Sequence, residues 1–298
     1  MKRILWIIHN AYLYTDKFSE LDGLLAKAAE HRGFQVVRLS NRQLLPDLGS
    51  SPFAERERPD AVIFCDKDIR LAEWLEHAGL RVYNSSRAIA VSDNKAATHL
   101  VLAGGNLPQP RTIFAPFTYD NIGYRNLDFL ADVIRVLGFP MVVKECYGSF
   151  GAQVYLAEDT DALRAIVLKI GTRPMLFQKF IASSAGRDIR LQVIGGRVAA
   201  GMYRWSEHGD FRANITNGGS MKPYLPSEYE KQLAVRAAEL LGLDYGGVDL
   251  LFAEDGSRLV CEVNSNAHFK NIQDCTGVPV AELLIDHIAG QLEQVSGS

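Results

Sequence analysis

No two of the four cysteines, Cys65, Cys146, Cys261 and Cys275, form a CxxC pair, and each lies in or beside an apolar run. Zinc-knuckle and dithiol redox sites are thereby excluded, and buried thiols in a reducing compartment are predicted. No GxGxxG follows the first strand and no GxxxxGK[ST] occurs anywhere, so neither a dinucleotide fingerprint nor a Walker loop is available. Long apolar runs are missing too. Met1-Lys2-Arg3 leads only into Ile4 to Ile8 before polar His9-Asn10, too short for a signal segment or a span, so a cytoplasmic location is expected. Neither sign of charge dominates: 32 Lys and Arg against 35 Asp and Glu leave a net charge of −3. Nucleic acid and membrane are therefore not expected as partners. There is no internal repeat, and the only low-complexity segment is the short tail Ser296-Gly297-Ser298, expected to fray.

What is present fits an enzyme-sized chain of 298 residues with two or three subdomains. The first part alternates strand and helix: Ile4 to Ile8, a helix over Lys17 to His31 stopped by Gly33, then Gln35 to Leu39, Ala61 to Cys65, a helix near Ile69 to His77, and Arg81 to Tyr83. This pattern predicts a small open sheet flanked by helices. His9 to Asp16, with Asn10, Tyr12 and Tyr14, follows a strand's C-terminal end and lines a crevice or simply packs as a loop. Ser92 or Asp93 is expected to cap a helix from Lys95 to about Ala103, with Asn106 to Pro110 as a linker.

The richest stretch is Gly247-Val248-Asp249-Leu250-Leu251-Phe252, a turn, and Leu259-Val260-Cys261-Glu262-Val263-Asn264. Asp255-Gly256 reads as a two-residue type I′ turn, which sets opposite each other positions that sum to 511 and so places Asp249 against Glu262. Opposed carboxylates destabilise a sheet unless something positive lies between them. Alternation adds Asn264 to the same face, and oxygen-only donors suit a hard cation such as Mg²⁺. The alternative is an edge hairpin whose acids face water.

Other segments carry weaker signals. Lys144 ends the strand Met141 to Lys144, and Gly148-Ser149-Phe150-Gly151 turns into a second strand, Gln153 to Leu156. Glycines let backbone N–H groups approach phosphate, and the lysine supplies a point charge. Met175 to Ile181 is an apolar strand ending in Gln178 and Lys179. Asp188-Ile189-Arg190 precedes a Gly195-Gly196 turn and a strand bearing Arg204. Phe211 to Ile215 is predicted as a strand with Arg212 and Asn214 on one face. Ser227-x-x-Glu230 is a capping box for a helix ending at Gly242, and Pro279 opens a C-terminal helix.

Taken in order, the lysine helix, strand lysine, glycine flap, Gln-Lys-Phe-Ile, Asp-Ile-Arg, Arg-x-Asn, Val-Asp-Leu-Leu and Glu-Val-Asn make the chain resemble the ATP-grasp superfamily, most closely its RimK-like glutamate ligases. The resemblance spans the chain and is strongest from Asn94 to Leu284. It implies an α/β (α+β) ATP-grasp fold: a Rossmann-like pre-ATP-grasp domain over 1–91, a central subdomain with the flap over 92–184 and a C-terminal subdomain with the metal hairpin over 185–298. It further implies that Lys95 and Lys144 contact ATP phosphates and that Gly148, Ser149 and Gly151 close over them. Gln178, Lys179, Phe180 and Ile181 would form the adenine segment, and Asp188 would contact ribose. Arg212 and Asn214 would reach the phosphates and the reacting centre, with Lys144 and Arg212 catalytic. Asp249, Glu262 and Asn264 would hold Mg²⁺, expected as two ions, with Mn²⁺ as a substitute.

The implied chemistry is amide formation through an acyl phosphate, joining a small-molecule or peptide carboxylate to an amino-acid amine. A kinase transferring phosphate to a hydroxyl, or an ATP-binding module without turnover, are the alternatives. Relatives often carry Ser-Ser-Pro-Gly after Glu-x-Asn, whereas here Ser265 to Asn271 follows. His268 and Lys270 in that stretch, with Arg187, Arg190 and Arg204, are therefore candidates for substrate recognition. A homo-oligomer is expected by analogy.

Overall fold

The computed structural model describes residues 2–13, 16–149, 151–207, 209–213, 215 and 218–296; the side chains of 16–19 and 295–296 are left aside. Three sheets carry the chain. The first is built from β1 (Ile4–His9), β2 (Gln35–Ser40), β3 (Ala61–Cys65) and β4 (Val82–Tyr83), all parallel in the order β2-β1-β3-β4. The central strands β1 and β3 are near-continuous apolar runs, as burial on both faces demands, whereas the edge strand β2 carries Gln35, Arg38 and Ser40. Between them lie α1 (Asp16–His31) and α2 (Ile69–His77), the second capped by Asp68, whose side chain accepts from Leu71 N at 3.1 Å.

Two helices follow, α3 (Ser86–Asp93) and α4 (Lys95–Gly104). Ser92 and Asp93 are not the cap of the lysine helix, as the sequence reading expected; they end α3. Asn94 is the N-cap, accepting from Ala96 N at 3.0 Å and Ala97 N at 3.2 Å. A capping amide serves as well as a hydroxyl or carboxylate, so three neighbouring candidates could not be ranked from sequence.

The second sheet is antiparallel, in the order β5-β8-β6-β7, from β5 (Thr112–Phe114), β6 (Met141–Glu145), β7 (Val154–Ala157) and β8 (Met175–Lys179), with α5 (Phe129–Leu137) and α6 (Thr160–Ile170) on its outer face. The third is antiparallel in the order β11-β10-β9-β12-β13, from β9 (Arg187–Ile194), β10 (Arg197–Ser206), β11 (Gly219–Pro223), β12 (Tyr245–Phe252) and β13 (Arg258–Asn264). Helices α7 (Glu228–Leu241), α8 (Lys270–Thr276) and α9 (Val280–Ser296) complete it. Ser227 and Glu230 form the anticipated capping box of α7, and Gly242 ends it in the left-handed region.

Alternation gives this third sheet one face of Ile189, Leu191, Val193, Val248, Leu250 and Val263, buried with Leu233, Ala234 and Ala237 of α7. At the junction with the first sheet, Asn84 is fully buried. Its Nδ2 donates to Tyr245 O and Ser265 O, both at 2.9 Å, and its Oδ1 accepts from Asp244 N at 2.8 Å and Tyr245 N at 3.2 Å. One amide thus ties the first sheet to both ends of the β12–β13 hairpin.

The hairpin loop departs from expectation. Ala253 pairs with Ser257, and Gly256 (φ +83°) closes a three-residue loop, so pairs beside it sum to 510. Asp255, a non-glycine residue, keeps negative φ, which a type I′ turn would not allow. On that register Glu262 would share the face of Val248. A bulge at Cys261 restores the sum of 511, and Asp249 faces Glu262 after all. The extra residue turns the acid from the core face to the open face.

Candidate active site

The open face of the third sheet is a row of charge. Register places Arg204 opposite Asp188, Arg190 opposite Asp249, Asp249 opposite Glu262 and Gly247 opposite Asn264. Arg190 grips Asp249 with both ends, Nε to Oδ1 at 2.7 Å and Nη2 to Oδ2 at 2.6 Å. Arg204 grips Asp188 the same way at 2.7 and 2.6 Å, and its Nη2 also reaches Asp249 Oδ2 at 3.0 Å. Arg190 and Arg204 thus neutralise Asp249, one of the two opposed carboxylates. Burial works against a charge on Asp249, yet Arg190 and Arg204 outweigh it and hold its pKa below the usual range. Burial likewise opposes the Arg204 charge, and Asp188 and Asp249 more than offset it, raising its pKa. Arg190 and Arg204 are thus both paired with site carboxylates, and both line the outer cavity described below.

Gly247 makes room for this network. A Cβ there would stand 2.7 Å from Ala267 Cβ and 3.6 Å from Arg190 Cδ, so any side chain would collide with the strap that follows β13. Glu262 keeps 34 % of its side chain exposed, with Lys95 Nζ at 3.5 Å from its Oε1. The Asn264 side-chain nitrogen is buried, with no hydrogen-bond partner among the described residues. Among the described residues no cluster of three or more histidines, cysteines or carboxylates is placed to hold a metal ion, so the third oxygen donor on this face is the Asn264 amide.

The second sheet faces this row. Val142 opposes Gln178 and Lys144 opposes Leu176 across β6 and β8, and alternation turns Lys144 toward the third sheet while Met141 and Val143 enter the core. The Lys144 side chain is buried, and its ammonium meets the Cys261 thiol at 3.6 Å, a soft neighbour and no counter-ion. Lys95, at the start of α4, donates to Gly148 O at 3.0 Å. Gly148 has φ +138°, a conformation that favours glycine, and a Cβ there would also push the Gln153 side chain aside, its Oε1 standing 2.3 Å away.

Arg212 closes the far side. Phe211 to Ile215 is not the strand expected: its described part is an irregular connection between β10 and β11. Asp210 accepts the Arg212 backbone N–H at 2.9 Å, a side-chain turn that takes the donor a strand ladder would need. The same carboxylate accepts from Arg212 Nε at 3.0 Å and Nη2 at 2.8 Å, and Nη1 donates to Gly151 O at 2.7 Å, tying this connection to the flap. Its hydrogen bond with Asp210 raises the Arg212 pKa. Asn214 lies outside the described residues, as does Tyr14.

Two adjoining cavities result. One, of about 120 Å³, lies between the sheets and is lined by Lys95, Lys144, Gln178 to Ile181, Asp188, Arg212, Asp249 and Glu262. The other, of about 470 Å³, lies outside it against the first sheet; Ser149, Gly151, Arg204 and Glu262 line both. Asn10, Asp66, Lys67, Asn264 and His268 line the second. Lys270 lines neither: it opens α8, not a loop, and pairs with Asp274 one turn on.

Sequence reasoning passed over several contributors. Lys67 bridges Asp93 and the flap's Ser149, 3.1 Å from its Oγ, and Asn266 Nδ2 donates to Asp66 O at 2.6 Å. Asp210 was legible as the aspartate two residues before Arg212; Lys67 and Asn266 carry no local signal.

A family model described as the RimK-like ATP-grasp domain matches residues 92–288. The chain belongs to the RimK-like ATP-grasp family. Its similarity to β-citrylglutamate synthase B of Homo sapiens is 38 % identity over 235 residues, 78 % of this chain and 59 % of that one. To a probable α-L-glutamate ligase of Stenotrophomonas maltophilia it is 38 % over 216 residues, 72 % of this chain and 70 % of the other. The chain thus spans about three fifths of the length of the human synthase. A RimK domain ATP-grasp protein from Sphaerobacter thermophilus superposes with a TM-score of 0.71 over 96 % of this chain and 98 % of its own, at 23 % identity, a likeness of fold. The two curated relatives are named for joining reactions, one as a synthase and one as a ligase. Among the described residues no helix is long and apolar enough to cross a membrane.

Proposed function

We propose that this chain uses ATP to convert a substrate carboxylate into an acyl phosphate, which an amine then attacks to give an amide, ADP and phosphate. The observation that carries this reading is the pair of adjoining cavities that share Arg204, Glu262 and the flap's Ser149 and Gly151. One is walled by cations without a full set of counter-ions; the other gives two further reactants a place beside it.

Lys144 supports the assignment of ATP to the inner cavity. A buried ammonium beside a thiol is costly until an anion arrives, and phosphate oxygens supply one. In this reading Lys95 and Lys144 hold the phosphates and Gly148, Ser149 and Gly151 offer backbone N–H groups from above. Gln178 to Ile181 meet the base, Asp188 meets the ribose, and Arg212 with Asn214 steadies the transferring phosphoryl group. The central and C-terminal subdomains, 92–184 and 185–298, would enclose the nucleotide between them. Asp249, Glu262 and Asn264 would hold Mg²⁺ through two carboxylates and the Asn264 amide oxygen, an oxygen-only donor set that suits that ion. Bound there, the ion would neutralise charge on the phosphate oxygens. The remaining work falls to positioning by this chain's lysines and arginine, which need no covalent chemistry of their own.

Glutamate is the first amine to test and a citrate-like acid the first carboxylate, given the printed names of the relatives. Mg²⁺-dependent phosphate release across amine and carboxylate pairs, with mass spectrometry of each reaction, tests the proposal. An amide product with equal phosphate supports it; a phosphorylated product without free phosphate replaces the ligase with a kinase. Arg212→Ala and Glu262→Ala should each lower turnover on the order of 10²–10³-fold, and normal turnover by either would remove its assigned role.

A further inference from the structure

Behind the inner cavity lies a directional hydrogen-bond chain. His99, on α4 one turn after Lys95, is buried. Gln109 Nε2 donates to the His99 main-chain oxygen at 3.1 Å, which leaves Gln109 Oε1 facing His99 Nδ1 at 2.6 Å. An oxygen there requires the proton on Nδ1, so Nε2 presents a lone pair. Gln178 Nε2 stands 3.2 Å from that lone pair. At the other end, Thr112 Oγ1 donates its proton to Pro110 O at 2.8 Å and is left as an acceptor, 3.0 Å from the same Gln178 nitrogen. Main-chain carbonyls fix the polarity at both ends. Both hydrogens of the Gln178 amide are taken, and its oxygen is the polar atom the side chain can offer to the cavity it lines.

We infer that His99 is a positioning residue that locks the Gln178 amide with its oxygen toward the nucleotide base, so that the cavity accepts an exocyclic amino group and rejects a keto oxygen. The inference rests on the nucleotide reading of the inner cavity. The histidine must be neutral, since an imidazolium would present N–H on both sides. Burial, and next the charge of Lys144, brings its pKa down to about 4, which keeps the lone pair at neutral pH. A pocket built to pair with one polar group discriminates strongly against its opposite, because the mismatch leaves buried groups facing like partners.

Calorimetric titration of the full chain with ATP and with GTP, without other substrates, tests the assignment. Wild type should bind ATP in clear preference to GTP. His99→Met removes the acceptor and should shrink that preference by about tenfold, chiefly by letting GTP bind better. His99→Gln, able both to donate to Gln109 and to accept from Gln178, should keep most of it. In a Gln178→Leu background, His99→Met should change the ratio no further, which separates positioning from general damage even where melting temperatures fall. His99→Met with an undiminished ATP-to-GTP ratio overturns the inference and leaves the nucleotide site standing. Wild type that binds neither nucleotide overturns the nucleotide reading itself.

Discussion

The two walls of the inner cavity handle charge in opposite ways. On the third sheet, Arg204 and Asp249 are buried, Arg190 and Asp188 are partly buried, and all four are paired at 2.6 to 3.0 Å. On the second sheet, Lys144 is buried too, and among the described residues its ammonium meets only a thiol, at 3.6 Å. A paired buried charge holds structure, because removing one partner strands the other; an unpaired one is held for something that comes from outside. The floor should therefore fail in stability and the roof in activity.

Arg204→Met should give the largest effect on the floor. It leaves Asp188 and Asp249 buried with one guanidinium between them, at a loss of about 3–5 kcal/mol in urea unfolding. An unchanged midpoint would show that the network contributes no net stability. Lys144→Met is the matching test on the roof. Turnover should fall on the order of 10²–10³-fold, about 3–4 kcal/mol in the barrier, with a melting temperature equal to or above wild type. A destabilised Lys144→Met would erase the contrast.

Acid should separate the walls again. The folded pKa of His99, about 4, lies below its ordinary 6.5, so the unfolded chain binds the extra proton between those values. Its contribution is complete above about 6.5 and is lost as pH falls toward 4, by up to about 3 kcal/mol. His99→Gln should remove that part of the slope in urea midpoints followed from neutral pH downward. Asp249, with its pKa depressed by Arg190 and Arg204, loses its contribution only as pH falls below the usual carboxylate value of 3.8.

Gly247→Ala, forcing a Cβ against Ala267, should cost about 1–3 kcal/mol and displace Arg190. Lys270→Ala should be the smallest change. Its partner Asp274 is on the surface and it lines neither cavity, so turnover and melting should stay at wild-type values.

Much of the site was legible along the strands. Glu262 and Asn264 share a face as alternation requires, and the order of lysine strand, flap and acidic hairpin pointed to the family. The hairpin shows the limit of that legibility. Asp255-Gly256 is a sound turn signal, yet the loop took three residues and the bulge at Cys261 cancelled the shift; no propensity of Cys261 announces a bulge. The predicted strand at Arg212 failed because the Arg212 backbone N–H donates to the Asp210 carboxylate instead of to a ladder. The partners of Arg190 and Arg204, the buried Asn84 clamp and the His99 chain had no sequence signal, since each joins segments that are distant along the chain or are set by a strand neighbour.

By itself the sequence determined which side chains of one strand share a face and which residue types stand at the spacing of this family. These follow from the period of a strand or helix, a local and covalent property. Only the tertiary structure decided which charges neutralise one another and which stay unpaired, because Coulomb energy depends on distance and on the surrounding dielectric, and both are set when strands from separate parts of the chain lie side by side. Lys144 and Arg204 are both strand cations in the sequence; packing gave one two carboxylates and left the other facing a cavity.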